Sequence, residues 1–205
     1  MVSTLDAGER AKQERRRQIL SAAKSVFAEA GYHGASIHAI IERAQIARGT
    51  FYLYFESKAA VFDSILDEAM RELRGRIKRI DVETPNAVPP QQQLREQVIA
   101  TLDYIVQDRA LATLLMSAGH TPDAEAAERL DQFFAEVRGL LERAMESGME
   151  IGLLRKVDPQ LAAAAMLGMF RGVVEQLTTQ RQGPLPPVEN VVAEVLMIAL
   201  RGVLK

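Results

Sequence analysis

The chain has 205 residues and 22.7 kDa, is 48% hydrophobic and 25% charged, and carries no cysteine. That balance describes a globular protein of one large or two small domains with enough apolar residues to bury a core. Without cysteine there is no disulfide framework, thiolate nucleophile or thiolate metal site, and the composition suits a reducing compartment.

The net charge of −2 hides an uneven distribution, since residues 1–58 hold 9 Lys and Arg against 6 Asp and Glu, and the rest of the chain holds 16 against 21. A local cationic patch binds a polyanion even when the whole chain is acidic, because exposed charges more than about 10 Å apart are screened. The first apolar pattern, ILSAAKSVFAEAGY, is interrupted by Lys24 and Glu29 and lacks the form of an export signal. The greasiest runs, LAAAAMLGMF and VVAEVLMIAL, are about ten residues each, where a spanning helix needs roughly 20. The expectation is a cytoplasmic protein with no membrane partner.

Nearly every segment repeats apolar residues at helical spacing, and no alternating β-branched run is long enough for a strand, so the expected fold class is all-α with about nine helices. A first helix is predicted from near Glu9 or Lys12 to Gly31, with Ile19, Ala22, Ala23, Val26 and Phe27 on one face. Gly31 suits its C-terminal stop. Ser36 is placed to cap a second, short helix, IHAIIERA, whose buried stripe is Ile37, Ile40, Ile41 and Ala44. A third short helix lies in ARGTFYLYFESK, Ala47 to Lys58. Ser57 then caps a long fourth, with Val61, Phe62, Ile65, Leu66 and Met70 as its apolar face.

The turn-rich DVETPNAVPP, Asp81 to Pro90, holds three of the eight prolines and marks the boundary between two regions. Beyond it, helices are predicted near 91–108, 109–118, 123–148, 159–181 and 188–203, separated by GHTPD, SGMEIGLLRKVDP and RQGPLPP.

The third helix concentrates aromatic rings in a chain that is only 5% aromatic. At 100° per residue, Phe51 and Phe55 fall on one side and Tyr52 at its margin. The opposite arc holds Gly49, Thr50, Leu53 and Tyr54, with Arg48 long enough to reach round from the first turn. A flank so small and polar suits a groove. Two short helices joined by a three- to four-residue turn, the second with small and hydrogen-bonding groups outward, match the helix-turn-helix that enters the DNA major groove. The preceding RAKQERRRQ, Arg10 to Gln18, would set Arg15, Arg16 or Arg17 beside phosphates.

Taken together, ILSAAKSVFAEAGYHGASIHAIIERAQIARGTFYLYFESKAAVFDSIL resembles the N-terminal DNA-binding domain of the tetracycline-repressor-like (TetR) family of bacterial regulators, over roughly residues 15–70. The specific part is the ordered combination of a phenylalanine and GY ending the first helix, GTFYLYF in the third, and Lys58 opening the fourth. The resemblance implies an N-terminal three-helix helix-turn-helix domain (1–56), a connecting helix (57–82) and a helical effector-binding and dimerisation domain (83–205). It assigns DNA contacts to Ser36 and His38, base-facing positions to Arg48, Gly49, Thr50 and Leu53, and phosphate contacts to Tyr52, Tyr54 and Lys58, beside Arg16 and Arg17. Two positions depart from the family pattern: Gln45 stands where a turn glycine is general, and Ala47 where a serine or threonine often caps the recognition helix.

One recognition helix covers a few base pairs, so two copies are expected on a pseudo-palindromic operator. The family pairs subunits through their last two helices. Ala164, Gly168 and Gly172 recur every four residues, and the last helix is apolar on more than one side, with Val191, Val195 and Ile198 assigned to the partner and Val192, Leu196 and Ala199 to the chain's own interior. A close contact within the chain accounts for the glycines almost as well. The family also implies an effector pocket in the second region, for which Tyr104, Met116, Phe133, Phe134, Val137, Met166, Met169 and Phe170 are the candidate lining and Thr113, Ser117, His120, Arg171 and Gln176 the candidate polar contacts. The same apolar residues would serve an ordinary helical core. A hydrophobic effector such as a fatty acyl group or an aromatic drug fits better than a sugar phosphate.

No catalytic constellation, phosphate loop or metal-ligand spacing is present in the sequence, and no cofactor is expected. The expected function is a ligand-responsive, dimeric DNA-binding regulator, most often a repressor. An architectural DNA-binding protein without an effector, and a helical lipid or small-molecule carrier, are the alternatives.

Overall fold

The computed structural model describes residues 3–117, 123–180, 184 and 186–200, with residues 3–7, 179, 180, 199 and 200 described by their backbone alone. Among these the chain forms nine α-helices and no strand: α1 (Ser3–Gly34), α2 (Ile37–Ala44), α3 (Arg48–Tyr52), α4 (Lys58–Arg76), α5 (Pro90–Gln107), α6 (Arg109–Met116), α7 (Ala124–Glu150), α8 (Pro159–Glu175) and α9 (Val188–Leu200). A π-helical turn, Gln176–Gln180, extends α8. The expected GHTPD and RQGPLPP connections fall largely outside the described residues, as do the last residues of the predicted sixth and ninth helices.

Helix α1 begins well before the predicted start, because a stretch of Glu, Lys, Gln, Arg and Ala favours helix without any apolar face. Gly31 does break it, with φ 67° and ψ 170°, and one further turn follows to Gly34. Caps fix the starts of the helices that matter. Ser36 accepts from the Ala39 N–H at 3.1 Å and Ser57 from Ala60 at 3.0 Å, each satisfying an N–H that the helix leaves without a partner. Asp108, Asp123 and Asp158 do the same for α6, α7 and α8.

The core of α1–α4 is aromatic. Phe27, Tyr32 and Phe62 meet with centroids 4.9–5.6 Å apart, and Phe51 and Phe55 are buried 6.1 Å from each other. This core runs without interruption into that of the body, where Leu102, Ile105, Val106, Leu111, Leu115, Leu130, Phe133 and Val174 are buried. Polar ties cross the junction as well. Arg129 of α7 reaches Asp63 of α4 at 2.8 Å, Arg74 of α4 reaches Glu136 of α7 at 2.7 Å, and Lys24 of α1 pairs with Asp108 at the start of α6.

Helix α9 packs along one stripe of the chain. Val188, Val191, Val192, Val195 and Leu196 form a single stripe at spacings of three and four, with Val192 fully buried and Val188, Val191 and Leu196 packed against the core. Val191 and Val195, assigned to the partner, are half-buried in the chain itself, Val191 against the core and Val195 in the wall of the cavity described below. The outward face carries Met197 and Ile198, which are 52% and 75% exposed. On α8, Ala164, Gly168 and Gly172 are exposed, and a Cβ built on either glycine would meet nothing within 4 Å. No close contact inside the chain requires those glycines.

Candidate functional site

The α2–α3 unit is built around a three-residue turn, Gln45–Ala47. Gln45 adopts φ 52° and ψ 47°, the left-handed conformation that glycine takes without strain, and its N–H bonds the Glu42 carbonyl at 3.1 Å. Gln18 of α1 seals the end of α2 from outside, donating from Nε2 to the Ala44 carbonyl at 2.6 Å. Arg43 grips Glu29 of α1 through two bonds of 2.7 and 2.8 Å, which raises the guanidinium pKa and lowers that of the carboxylate. Ala47 supplies no side-chain cap to α3. The recognition helix is thus held by buried rings and by its neighbours more than by its own ends.

Phe51 and Phe55 pin α3 to the core, while Arg48, Gly49, Tyr52 and Leu53 are exposed, Leu53 at 81%. A Cβ on Gly49 would meet nothing, so the flank there is bare backbone. Thr50 is half-buried beside it. The α-helix ends at Tyr52 and the chain turns at Leu53–Tyr54, so the 100° wheel fails beyond that point. As a result Tyr54, expected on the outward arc, lies half-buried against the core, and Tyr52, expected at the margin, is the more exposed ring.

The remaining assigned contacts lie on α1 and at the starts of α2, α3 and α4. Ser36 uses one of its two oxygen lone pairs on the α2 cap and keeps a hydroxyl proton to donate. His38, two residues along, is 81% exposed by side chain and 3.6 Å from Glu42. Arg17 is exposed near Glu14, and the Arg16 guanidinium lies 5.3 Å from the Phe55 ring centroid. Arg48 sits 5.8 Å from the Tyr52 ring. Lys58 has a role that sequence reasoning did not find: its ammonium donates to the carbonyls of Tyr32 at 2.7 Å and Ala35 at 3.1 Å, 4.2 Å from the Tyr32 ring centroid. These bonds close the corner after Gly31. An ammonium has three donors, so one remains for another acceptor.

A second feature occupies the body. A cavity of about 370 Å³ lies among α5, α7 and α8, the end of α9 and the segment that follows α4, within the size range of small-molecule sites. Met116, Phe133, Phe134, Val137, Met166, Met169 and Phe170 all line it, as does Arg171. Tyr104 does not. Its ring lies under the Arg76 guanidinium at 4.4 Å, and burial pushes its hydroxyl pKa up to about 12. Thr113, Ser117 and Gln176 are also outside the wall, with the Ser117 hydroxyl donating to the Leu114 carbonyl; His120 lies outside the described residues. Sequence reasoning missed Lys78, Arg79 and Arg143, which the wall includes. Their charge at the end of α4 and on α7 reads locally as an ordinary solvated face.

Among the described residues, no group of three or more His, Cys, Asp or Glu is placed to hold a metal ion, and no helix is long and apolar enough to cross a membrane.

Comparison with known proteins agrees with this architecture. Residues 19–65 match the family described as bacterial regulatory proteins, tetR family, and residues 87–203 match the tetracyclin repressor-like C-terminal domain. The HTH-type transcriptional repressor KstR of Mycolicibacterium smegmatis is 33% identical over 153 residues, 72% of this chain and 71% of that protein. The fatty acid metabolism regulator protein of Bacillus subtilis is 23% identical over 93% of this chain and 98% of its own length. The crystal structure of the transcriptional regulator FadR from Bacillus subtilis in complex with stearoyl-CoA superposes with a TM-score of 0.72 at 21% identity, over 91% of this chain and 98% of that one. With both of its halves matched and a regulator's reading unit at its N-terminus, the chain belongs to the tetR family of bacterial regulatory proteins and is a DNA-binding transcriptional regulator.

Proposed function

We propose that the chain acts as a homodimeric repressor whose hold on a pseudo-palindromic operator is released by a largely hydrophobic small molecule bound in the body. The observation that carries this reading is the apolar cavity itself, whose wall includes Leu73 near the end of α4 and Ile77–Ile80 just beyond it. Helix α4 starts one residue pair after the buried Phe55 and is fixed to the α1 corner by Lys58. A molecule that selects one position of that wall therefore acts on the element that carries the recognition helix. The stearoyl-CoA bound by the Bacillus subtilis structure supports an acyl ligand here.

In this reading residues 1–56 read DNA, 57–82 connect, and 83–205 bind the effector and the partner. Arg48 pairs with guanine, while Leu53 and the Thr50 methyl meet thymine methyls. Tyr52, Tyr54, Lys58, Arg16 and Arg17 set register on phosphates, without base preference, and Ser36 and His38 touch the DNA from α2. The exposed Leu161, Ala164, Gly168, Gly172, Met197 and Ile198 offer the partner face. A regulator of bacterial DNA works in the cytoplasm.

The test begins with selecting bound duplexes from a random pool. The selected operator is then titrated with protein by fluorescence anisotropy, with and without long-chain acyl compounds. Palindromic selection, and a bound signal that collapses with the ligand, is the expected outcome. Operator binding indifferent to every hydrophobic compound would favour an architectural DNA-binding protein, and no salt-dependent DNA binding at all would favour a carrier.

A further inference from the structure

We propose that Arg109 is a positioning residue for operator recognition: together with Lys24 it straps the reading head, through α6, to the end of α8, and so sets the distance at which the two heads of a dimer stand. The proposal rests on the reading of the chain as a homodimer on a paired operator. Two bonds between distant parts of the chain carry it. The Arg109 guanidinium donates to the Thr178 carbonyl at 2.8 Å, and the residue before it, Asp108, pairs with Lys24 of α1. Arg109 is exposed, yet it reaches the main chain of a buried residue 69 positions away. Between the two tied residues lies a single planar peptide unit, about 3.8 Å from Cα to Cα. No length of chain can bend between them, so a shift at the end of α8 passes to α1.

The head meets the body through the backbone of α4 and through the ties of α4 to α7, Arg129 to Asp63 at 2.8 Å and Arg74 to Glu136 at 2.7 Å. Contacts strung along one helix resist its sliding better than its rolling about its own axis, and a head that rolls on α4 swings α3 sideways. A tie from a different helix opposes that roll. Helix α1 makes it by packing on α6. Its far end also reaches α7, where the Tyr32 hydroxyl donates to Glu125 at 3.5 Å and His33 lies 3.7 Å from Asp123. Helix α7 is 27 residues long and α6 only 8, so the place of α6 depends more on its neighbours, and whatever fixes α6 fixes α1 with it.

The end of α8 is suited to hold it. There the helix passes into the π-helical turn Gln176–Gln180, an irregularity that single helices keep mostly at functional positions. Carbonyls at a helix C-terminus carry the negative end of the dipole, so a guanidinium is a favoured partner. Thr178 is itself fixed, with its side chain buried and its hydroxyl donating to the Val174 carbonyl at 2.7 Å. The same helix exposes Leu161, Ala164, Gly168 and Gly172, the residues offered to the partner subunit. A helix that docks on a second subunit and also holds α6 passes the geometry of pairing on to the head.

The full-length parent, Arg109→Met and Lys24→Met are titrated by fluorescence anisotropy with the selected operator, with copies whose half-site spacing is one base pair longer or shorter, and with a single half-site. One base pair moves a half-site by about 3.4 Å and turns it by about 35°. The parent is expected to prefer the selected spacing by roughly tenfold or more, and each variant by roughly threefold or less, with half-site affinity and base preference unchanged. Arg109→Lys, which keeps a charged donor, should keep most of the preference, and the double variant should lose no more than either single one. Gly148→Ala destabilises the body outside the strap and should choose spacing as the parent does. In the parent, operator binding should also slow hydrogen exchange at the amides from Val174 to Thr178, a reading that depends on no variant. An unchanged spacing preference in folded Arg109→Met overturns the strap and leaves the dimeric reader standing. So does a half-site affinity that falls as far as the operator affinity, or exchange in the parent that ignores the operator. A parent indifferent to spacing overturns the dimeric reading and the strap together.

Discussion

Gln45→Gly is expected to make the protein more stable, although it removes a side chain. The residue sits at φ 52° and ψ 47°, where an L-residue with a Cβ is strained by roughly 1–2 kcal/mol. Glycine removes that strain but gains freedom in the unfolded chain, which returns about 0.4–1 kcal/mol. The exposed Gln45 side chain forms none of the bonds described above, and the backbone bond to the Glu42 carbonyl is retained in the variant. The net gain is about 0.5–1 kcal/mol, or a rise in Tm of roughly 1–4 °C for a chain of this size. Thermal melting by circular dichroism reads the global effect, and hydrogen exchange at the Ile46 and Phe51 amides reads the local one. Gln45→Ala is the control, because it keeps the Cβ and the strain, and it should melt within about 1 °C of the parent. If the Gly and Ala variants melt together, or the Gly variant melts lower, the turn is not strained and the reasoning fails.

Four other outcomes are expected. Ala47→Ser supplies the missing cap of α3 and adds roughly 1 kcal/mol; lying two residues from Gln45, it should not add fully to Gln45→Gly in a double-mutant cycle. Lys58→Met removes two bonds from a charged donor and should cost about 2 kcal/mol in denaturant unfolding, so its effect on DNA must be measured where the variant is still folded. Gly148→Ala would bring a Cβ to 2.7 Å from Leu154 Cδ1, in a buried contact, and should cost about 1–3 kcal/mol, part of which Leu154→Ala in the same chain relieves. Burial holds the hydroxyl pKa of both Tyr32 and Tyr104 up at about 12 against an ordinary value of 10.0. Their neutral forms are preferred in the fold, so the contribution is complete below pH 10 and is lost as pH rises towards 12. Tyr104→Phe should therefore flatten the alkaline fall in Tm.

The parts of this molecule that were legible in sequence are those governed by local rules. Ser36 and Ser57 announce α2 and α4 because a hydroxyl before an apolar-periodic run has one job, and the structure gives both that job. Gln45 was marked only by the resemblance, which puts a glycine there, and its left-handed backbone came from the structure, since turn geometry is set by the pairing of two helices and not by the residue that must adopt it. Tyr54 was misplaced because the wheel assumes a helix that stops at Tyr52. The side of α9 that meets a partner was not legible for a different reason: a helix with apolar residues on most of its surface does not say which side meets which neighbour. Tyr104 shares its apolar spacing with true wall residues, and its contact with Arg76, 28 residues away in the chain, is not legible from that spacing. Lys78, Arg79 and Arg143 were not legible as wall residues because the segment after α4 and the helix α7 meet at the cavity only in three dimensions.

One carboxylate at the junction has a divided duty. Asp108 offers Oδ1 to the Leu111 N–H at 3.0 Å and its other oxygen to Lys24, and because the two oxygens belong to one rigid plane neither can shift alone. The opening turn of α6 and the seat of the reading head are consequently a single mechanical joint, shared like one rivet through two plates. An amide in its place would keep the rivet through the first plate and let the second slide, so Asp108→Asn distinguishes a helix that has lost its start from a head that has lost its mooring.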